Sequence, residues 1–315
     1  MARHSLEHWL PILQQANLWH DPVGSLHVAY HQDEAALLEE FVSKAVDQGY
    51  PVEWLSASKA RAKSPALRTE GLQGAMWSPV EVCIDPRQVI SQLPAWLYQN
   101  LGVHFEFNHL VTGFDAGKVH AQGNTIAAQR LWVCSGDDLQ TLYPDVLGSL
   151  GLFRCKLQMM RTKPYGSAFK LGPMLAAGLT LCHYKSFQDC ATLPALKTRL
   201  QRDYPDYFRY GIHVLASQQG TGEVSLGDSH EYGDDISIFN KEAIDDLVLR
   251  YLNTFLDLPQ MHIASRWHGF YIKHPKLPWT VASPEVNVTC ITGVGGNGMT
   301  LSFGLAEKVI GQILD

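Results

Sequence analysis

The feature that most constrains this chain is its closing stretch, VTCITGVGGNGMTLSFGLAEKVIGQILD. An apolar, β-branched run stops at four glycines in six positions, Gly293, Gly295, Gly296 and Gly298, and a helix-like run follows. Strand, glycine turn and helix together form a unit of α/β architecture. Gly293, Gly295 and Gly298 also spell G-x-G-x-x-G. A dinucleotide site built on that fingerprint needs a second strand after the helix and an acidic residue about twenty positions on. This sequence ends with the helix, so the literal match is expected to be false. Two readings stay open. The glycines make a tight turn between strand and helix, or they bare backbone N–H groups and a positive helix end to a flat or anionic group.

The remaining periodicities point to mixed α/β and α+β architecture. SLEHWLPILQQANLW has helical spacing, with Pro11 predicting a kink or two short helices. GSLHVAY alternates as a strand. DEAALLEEFVSKAVDQG starts acidic and stops at Gly49, the signals of a helix. SASKARAKSP reads as a short helix ending before Pro65. In CIDPRQVISQLPAWLYQNLG, Asp85 is the expected N-cap, Pro86 the first helical residue and Gly102 the stop. VHFEFNHLVTGFD, KVHA, TIAAQ and RLWVCSG read as a strand meander that runs into a glycine. Beyond Cys155 the sequence predicts longer strands at CKLQMMRTKP, GLTLCHYKSF and IASRWHGFYIKH. GIHVLASQQGTGEVSLGDSHEYG reads as a hairpin, and NKEAIDDLVLRYLNTFLD as an amphipathic helix.

A net charge of -6 and scattered Lys and Arg leave no basic stripe for a phosphate backbone, which argues against nucleic acid as a partner. The six cysteines contain no C-x-x-C pair and suit a reducing cytoplasm. The opening MARHSLEHWL has no secretory h-region, and no apolar run is long enough for a membrane span. No oligomeric state follows from the sequence. His262, His268 and His274 are spaced by six, which fits no helix face, and no metal site is expected. GDSHE is no nucleophile elbow, because Glu231 stands where the second glycine is required.

Several segments, in the right order along the chain, resemble one family. TGVGGNGMTLSFGLAEKV is similar to the closing motif of the FAD-dependent D-amino-acid oxidase, glycine oxidase and sarcosine oxidase superfamily. WHGFYIKHPKLPW resembles the strand before it, and HVLASQQGTGEVSLGDSHEYG the substrate-domain hairpin. CIDPRQVI, LVTGF and RLWVCSGDDLQTL resemble its v-D-P helix, the valine strand beside the adenine and the a-a-G turn. ANLWHDPVGSLHVAY, CKLQMMRT and GLTLCHYKSF look most like a bacterial branch linked with phosphonate catabolism.

The resemblance implies a truncated FAD-binding Rossmann-like lobe plus an antiparallel-sheet substrate lobe. It divides the chain into 1–150, with part of the substrate lobe inserted at about 20–80, then 151–280, then a return segment 281–315. It also implies that residue 1 corresponds to a point roughly sixty to seventy residues into a full-length member, past the family's own G-x-G-x-x-G (a βαβ unit and its following helix). Val111, Ser135, Gly136, Gly295, Gly296, Asn297, Gly298, Met299 and Thr300 would then bind FAD. The flavin would be non-covalent, since Gly269 stands where covalent members present cysteine. Tyr271 replaces the arginine that forks onto a substrate carboxylate in glycine oxidase-like members, so the substrate is expected to lack a simple α-carboxylate or to anchor it elsewhere.

The activity implied is oxidation of a small amine by hydride transfer to flavin, with an aminophosphonate or an N-alkyl amino acid as the substrate. No catalytic residue is assigned, because such chemistry asks the protein mainly for orientation and charge placement. An aminophosphonate would need cationic lining. His183, Lys185, Tyr271 and Lys273, with Arg161 and Lys163, are the candidates, on neighbouring strands; Lys185 and Lys273 equally suit a solvent face. The alternative reading is a non-catalytic fragment or small-molecule-binding remnant, or a subunit completed by another chain.

Overall fold

The computed structural model describes residues 1–233 and 235–314; Asp234 and Asp315 lie outside the described residues. Helix α1 (Ala2–Gln15) leads through β1 (His20–Asp21) and β2 (Ser25–Ala29) to α2 (Gln32–Asp47). Then come β3 (Glu53–Ser56), α3 (Ala57–Lys63), β4 (Gly74–Ser78), β5 (Cys83–Ile84) and α4 (Pro86–Leu101). One helix runs through Pro11, in place of the two short ones the proline suggests. A meander of β6 (Val111–Asp115), β7 (Lys118–Ala121) and β8 (Asn124–Ala127) precedes β9 (Leu131–Val133) and α5 (Pro144–Gly148).

The second half opens with β10 (Phe153–Thr162), β11 (Met174–Ala176) and α6 (Gly178–His183). Helices α7 (Leu193–Asp203) and α8 (Pro205–Arg209), then strands β12 (Leu215–Gln218), β13 (Val224–Gly227) and β14 (Glu231–Gly233), lead to α9 (Glu242–Phe255). β15 (Ile263–Lys273), β16 (Thr280–Ala282), β17 (Val288–Thr292) and α10 (Gly298–Leu314) complete the order.

The chain is a mixed α/β fold with several sheets. A nine-stranded sheet runs β14-β10-β13-β12-β11-β2-β4-β3, with β15 on β10. It joins residues from both halves of the sequence. It is antiparallel except where β11 meets β2 in parallel, a departure from the wholly antiparallel sheet expected. The meander β6-β7-β8 stands as its own sheet, and β9 leaves it to pair in parallel with β17. That corrects the reading of RLWVCSG as the meander's last strand: an apolar strand at a glycine gains more from a buried parallel partner than from an exposed hairpin edge.

Helix α4 shows how local sequence sets these boundaries. Asp85 accepts the Arg87 backbone N–H at 3.0 Å as N-cap, Pro86 needs no donor at the first position, and Gly102 closes the helix at φ +69°. Asp85 is buried and its other oxygen takes Arg87 Nη2 at 2.7 Å, which also reaches Glu223 at 2.9 Å. Asp85→Ala is expected to lower the free energy of unfolding by about 1–2 kcal/mol through the lost cap, read by urea denaturation.

The main core fills the space between the large sheet and helices α2, α6, α7 and α9, with Leu26, Leu37, Leu175, Leu226, Leu252 and Phe255 fully buried. A second cluster, Leu13, Leu18 and Val89, holds α1 against α4, with Met299 packed on it. Trp9 donates its indole N–H to the Met299 carbonyl at 2.9 Å and meets Phe303 edge-on at 4.9 Å, so α1 also braces the start of α10. Among the described residues no helix is long and apolar enough to cross a membrane.

Candidate active site

Ligands of open α/β sheets bind beyond the carboxyl ends of parallel strands. Here β9 runs out at Cys134–Gly136 and its parallel partner β17 at Gly293. Between them lies a cavity of about 430 Å³ lined by Gly136, Tyr271, Gly293, Gly295, Gly298 and Leu305, with other residues. Gly293 must be glycine: φ is +74°, and a Cβ would stand 2.9 Å from Thr280 Oγ1 and 3.0 Å from Leu152 Cδ2. Gly295 shares the left-handed backbone at φ +64°, and its Cβ would stand 3.9 Å from both Tyr271 and Lys273; Gly296 has an ordinary φ, and its Cβ would stand 3.8 Å from Tyr271, so the turn backbone lies against the side chains of β15. Helix α10 begins at Gly298, which lines this end of the cavity, and the first N–H groups of a helix lack carbonyls within it.

The opposite wall is set by the period of β15. Tyr271 pairs with Cys155 and Lys273 with Phe153, two positions apart and therefore on one sheet face. Tyr232 pairs with Cys155 from the other side, which puts Tyr271, Cys155 and Tyr232 in one row. Burial, then contact with Cys155, raises the Tyr271 phenol well above its ordinary value. Lys273 Nζ lies 5.8 Å from the Tyr232 ring centroid, and an isolated bridge between Lys273 and Val294 ties β15 to the glycine turn. Among the described residues, Lys273 makes no salt bridge.

Next to this row three imidazoles gather. His183 ends α6, His213 precedes β12 and His230 lies between β13 and β14. Their ring centroids are 3.9 to 5.0 Å apart, and His230 is 6.3 Å from Tyr271. Asp228 sits with them, Oδ1 3.2 Å from His213 Nε2 and Oδ2 3.8 Å from His230 Nε2. Burial pushes Asp228 up to about 7. It lowers His183 to about 3 and His230 to about 4, with Lys273 adding to both and His230 also depressing His183. His213 is driven well below its ordinary value, first by burial and then by its two neighbours. The wall is therefore polar but carries its positive charge at Lys273.

A profile described as "DAO: FAD dependent oxidoreductase" matches residues 1–311. The chain belongs to this family. Solved structures of similar fold include L-proline dehydrogenase from P. horikoshii (TM-score 0.77, 18% identity, covering 99% of this chain and 77% of that one). Glycine oxidase from Geobacillus kaustophilus follows at 0.74 and 17%, covering 99% and 77%. Iminodiacetate oxidase from Chelativorans sp. BNC1 stands at 0.69 and 17%, covering 98% and 79%. No curated protein matches the chain.

Within this DAO-family fold the candidate residues divide. Gly136, Gly295, Gly298 and Tyr271 line the cavity, and Lys273 borders it. Gly296 faces Tyr271 from the turn, while Asn297 and Thr300 are exposed beside it. Met299 turns its side chain into the α1–α4 cluster, leaving only its backbone for the site. Ser135 Oγ is engaged by the Asp138 carbonyl at 2.6 Å, and Val111 stands in the separate β6-β7-β8 sheet, outside the cavity lining.

His183 joins the imidazole cluster from a helix, because GLTLCH forms α6 and KSF a 3-10 turn where a strand was expected. Lys185 is exposed on that turn and makes no ion pair with the site among the described residues. Arg161 pairs with Ser265, six residues along β15 from Tyr271, at the far end of a strand that rises about 3.4 Å per residue. There Arg161 covers Trp267 at 4.9 Å, and Lys163 donates its backbone N–H to the His262 carbonyl, so neither supplies cationic lining. Sequence reading missed Asp228, His213, His230 and Tyr232. The alternation of His230 with Tyr232 was the available signal; nothing local marked His213.

Proposed function

We propose that this chain oxidises a small anionic amine, an aminophosphonate or an N-alkyl amino acid, with FAD held non-covalently against the turn at 295–300. The observation that carries the reading is one cavity lined by the glycine backbone of 293, 295 and 298 and by Tyr271, with Lys273 at its border. The residues present suit the ring end of a flavin: Phe270, Ile272 and Leu305 supply apolar surface, and the helix start supplies donors for a carbonyl edge. Bound flavin would provide the hydride acceptor. Gly269 offers no thiol for a covalent link, and burial pushes the Cys155 thiol up to about 11, so it stays protonated.

The roles of the side chains follow from charge and shape. Lys273 supplies a point charge for a phosphonate or carboxylate, and Tyr271 remains a phenol that can donate one hydrogen bond. Neither reproduces the two parallel bonds of an arginine, which favours a tetrahedral anion over a planar α-carboxylate. Six free cysteines accord with a reducing cytoplasm.

The test is anaerobic reduction of the FAD-loaded protein by a panel of N-alkyl 2-aminoethylphosphonates, sarcosine, glycine and proline. Bleaching of the flavin by the phosphonates at the lowest concentration supports the reading; bleaching by none of the panel overturns it. Lys273→Met is expected to raise KM for the anionic amine about 10-fold, the loss of one close charge contact, with little change in kcat. An unchanged KM would remove Lys273 from the substrate site.

A further inference from the structure

We propose that His183, His213 and His230, with Asp228, form a binding site for a divalent metal ion of the zinc class in the wall behind Tyr271 and Tyr232. One donor atom from each histidine lies within 4.8 Å of the others, although the three come from a helix end and two separate strand borders. Ligands about 2.0–2.1 Å from a tetrahedral ion stand about 3.3 Å from one another. Asp228 stands beside two of the three imidazoles, Oδ1 3.2 Å from His213 and Oδ2 3.8 Å from His230, where a carboxylate would orient the ligands and offset the ion's charge. The donor set, three imidazoles with a carboxylate beside two of them, is one that zinc and its borderline neighbours accept.

Proton sharing alone accounts poorly for this cluster. Asp228 Oδ1 is buried without a hydrogen bond although His213 Nε2 stands 3.2 Å away, so the two atoms are at bonding distance but do not point at each other. His213 Nδ1 is likewise buried and unpartnered. Buried polar atoms in that state are costly, and a bound cation would relieve the cost. His230 shows the arrangement usual around a metal: Nδ1 lies 2.9 Å from the Gly211 carbonyl, which fixes the N–H there and frees Nε2 to face Asp228. The backbone N–H groups of His213 and Asp228 each donate to the other's carbonyl, at 3.2 and 2.8 Å, holding the two ligands abreast. The ion would clamp the end of α6 to the β12–β13 hairpin. This inference does not depend on the amine reading.

The full-length protein, stripped with a chelator, is titrated with Zn²⁺ alone under chelator competition, with metal content and thermal unfolding measured in parallel. One equivalent is expected to bind with sub-micromolar affinity and to raise Tm by about 2–8 °C. Co²⁺ in its place is expected to give the intense visible bands of a tetrahedral centre. His183→Gln, at the half-buried member, is expected to weaken Zn²⁺ binding at least about 10-fold, and Asp228→Asn likewise. His4, His8 and Glu307 form another such group on the surface, so the measurement is repeated in H4A/H8A, which is expected to retain the tight equivalent. Binding no tighter than about 100 μM (about −5.5 kcal/mol), or binding lost in H4A/H8A and kept in His183→Gln and Asp228→Asn, would overturn the proposal.

Discussion

Gly296→Val is expected to weaken FAD binding about 100-fold, equivalent to about 2.7 kcal/mol, while Tm moves little. Gly296 has an ordinary backbone conformation, and its Cβ would stand 3.8 Å from Tyr271 Cε1, a normal contact. The free chain therefore accepts the valine. What it loses is the bare backbone edge of the turn, which the valine methyls would cover, holding a flavin edge off the amides. Gly293→Ala makes a useful contrast, since φ +74° and a 2.9 Å approach to Thr280 Oγ1 place its cost in folding. Fluorescence titration with FAD, alongside thermal unfolding, separates the two effects. Equal affinity in Gly296→Val and the parent would show that no ring rests against this turn.

Arg199→Met is expected to cost about 3–5 kcal/mol of stability, the usual result of removing one partner from a buried ion pair. Arg199 Nε donates to Asp33 at 2.6 Å and Nη2 to Glu34 at 3.0 Å, and Glu34 is itself buried, also accepting the Tyr30 backbone N–H at 2.8 Å. Without the guanidinium two carboxylates would share a partly closed pocket beneath α7. The acid dependence follows from Asp33. Burial raises it, but Arg199, with the Glu34 N–H and His31, lowers it further, for a net depression. Its contribution is thus complete above the ordinary aspartate value of about 3.9 and is lost as pH falls through the lower folded value. Urea unfolding of parent and variant between neutral pH and about pH 3 checks both statements: the difference should narrow with acid, and a constant difference would refute the ion-pair account.

Turn and cap chemistry made much of the fold legible. Asp85, Pro86, Gly102 and Gly293 occupy the positions their residue types predict, because each answers a local steric or hydrogen-bonding requirement. The error at GLTLCH has a physical cause. Gly178, Leu179, Thr180 and Leu181 are all buried, so no exposed face interrupts the apolar run and its period cannot be read. Tertiary contacts decide instead. The Leu179 N–H donates to the Tyr251 hydroxyl at 2.9 Å, and Gly178 lies so near Glu34 that a Cβ would stand 2.3 Å from Oε1. The same limit hid His213 and Asp228, which meet His183 only after α6 folds beside the hairpin. That Tyr271 and Lys273 share one face of β15 was legible because period two on a strand is a local property.

The brace of α1 on α10 gives this protein an order of events. Trp9 and Met299 stand 290 residues apart in sequence, so their contact closes only once the whole of that stretch has been made. Until that last helix arrives, the underside of the first, with Leu13 and Trp9, has nothing to rest on but α4. The glycine turn that opens α10 is consequently seated late relative to α1, and until then the apolar underside of α1 is a natural point of attachment for chaperones.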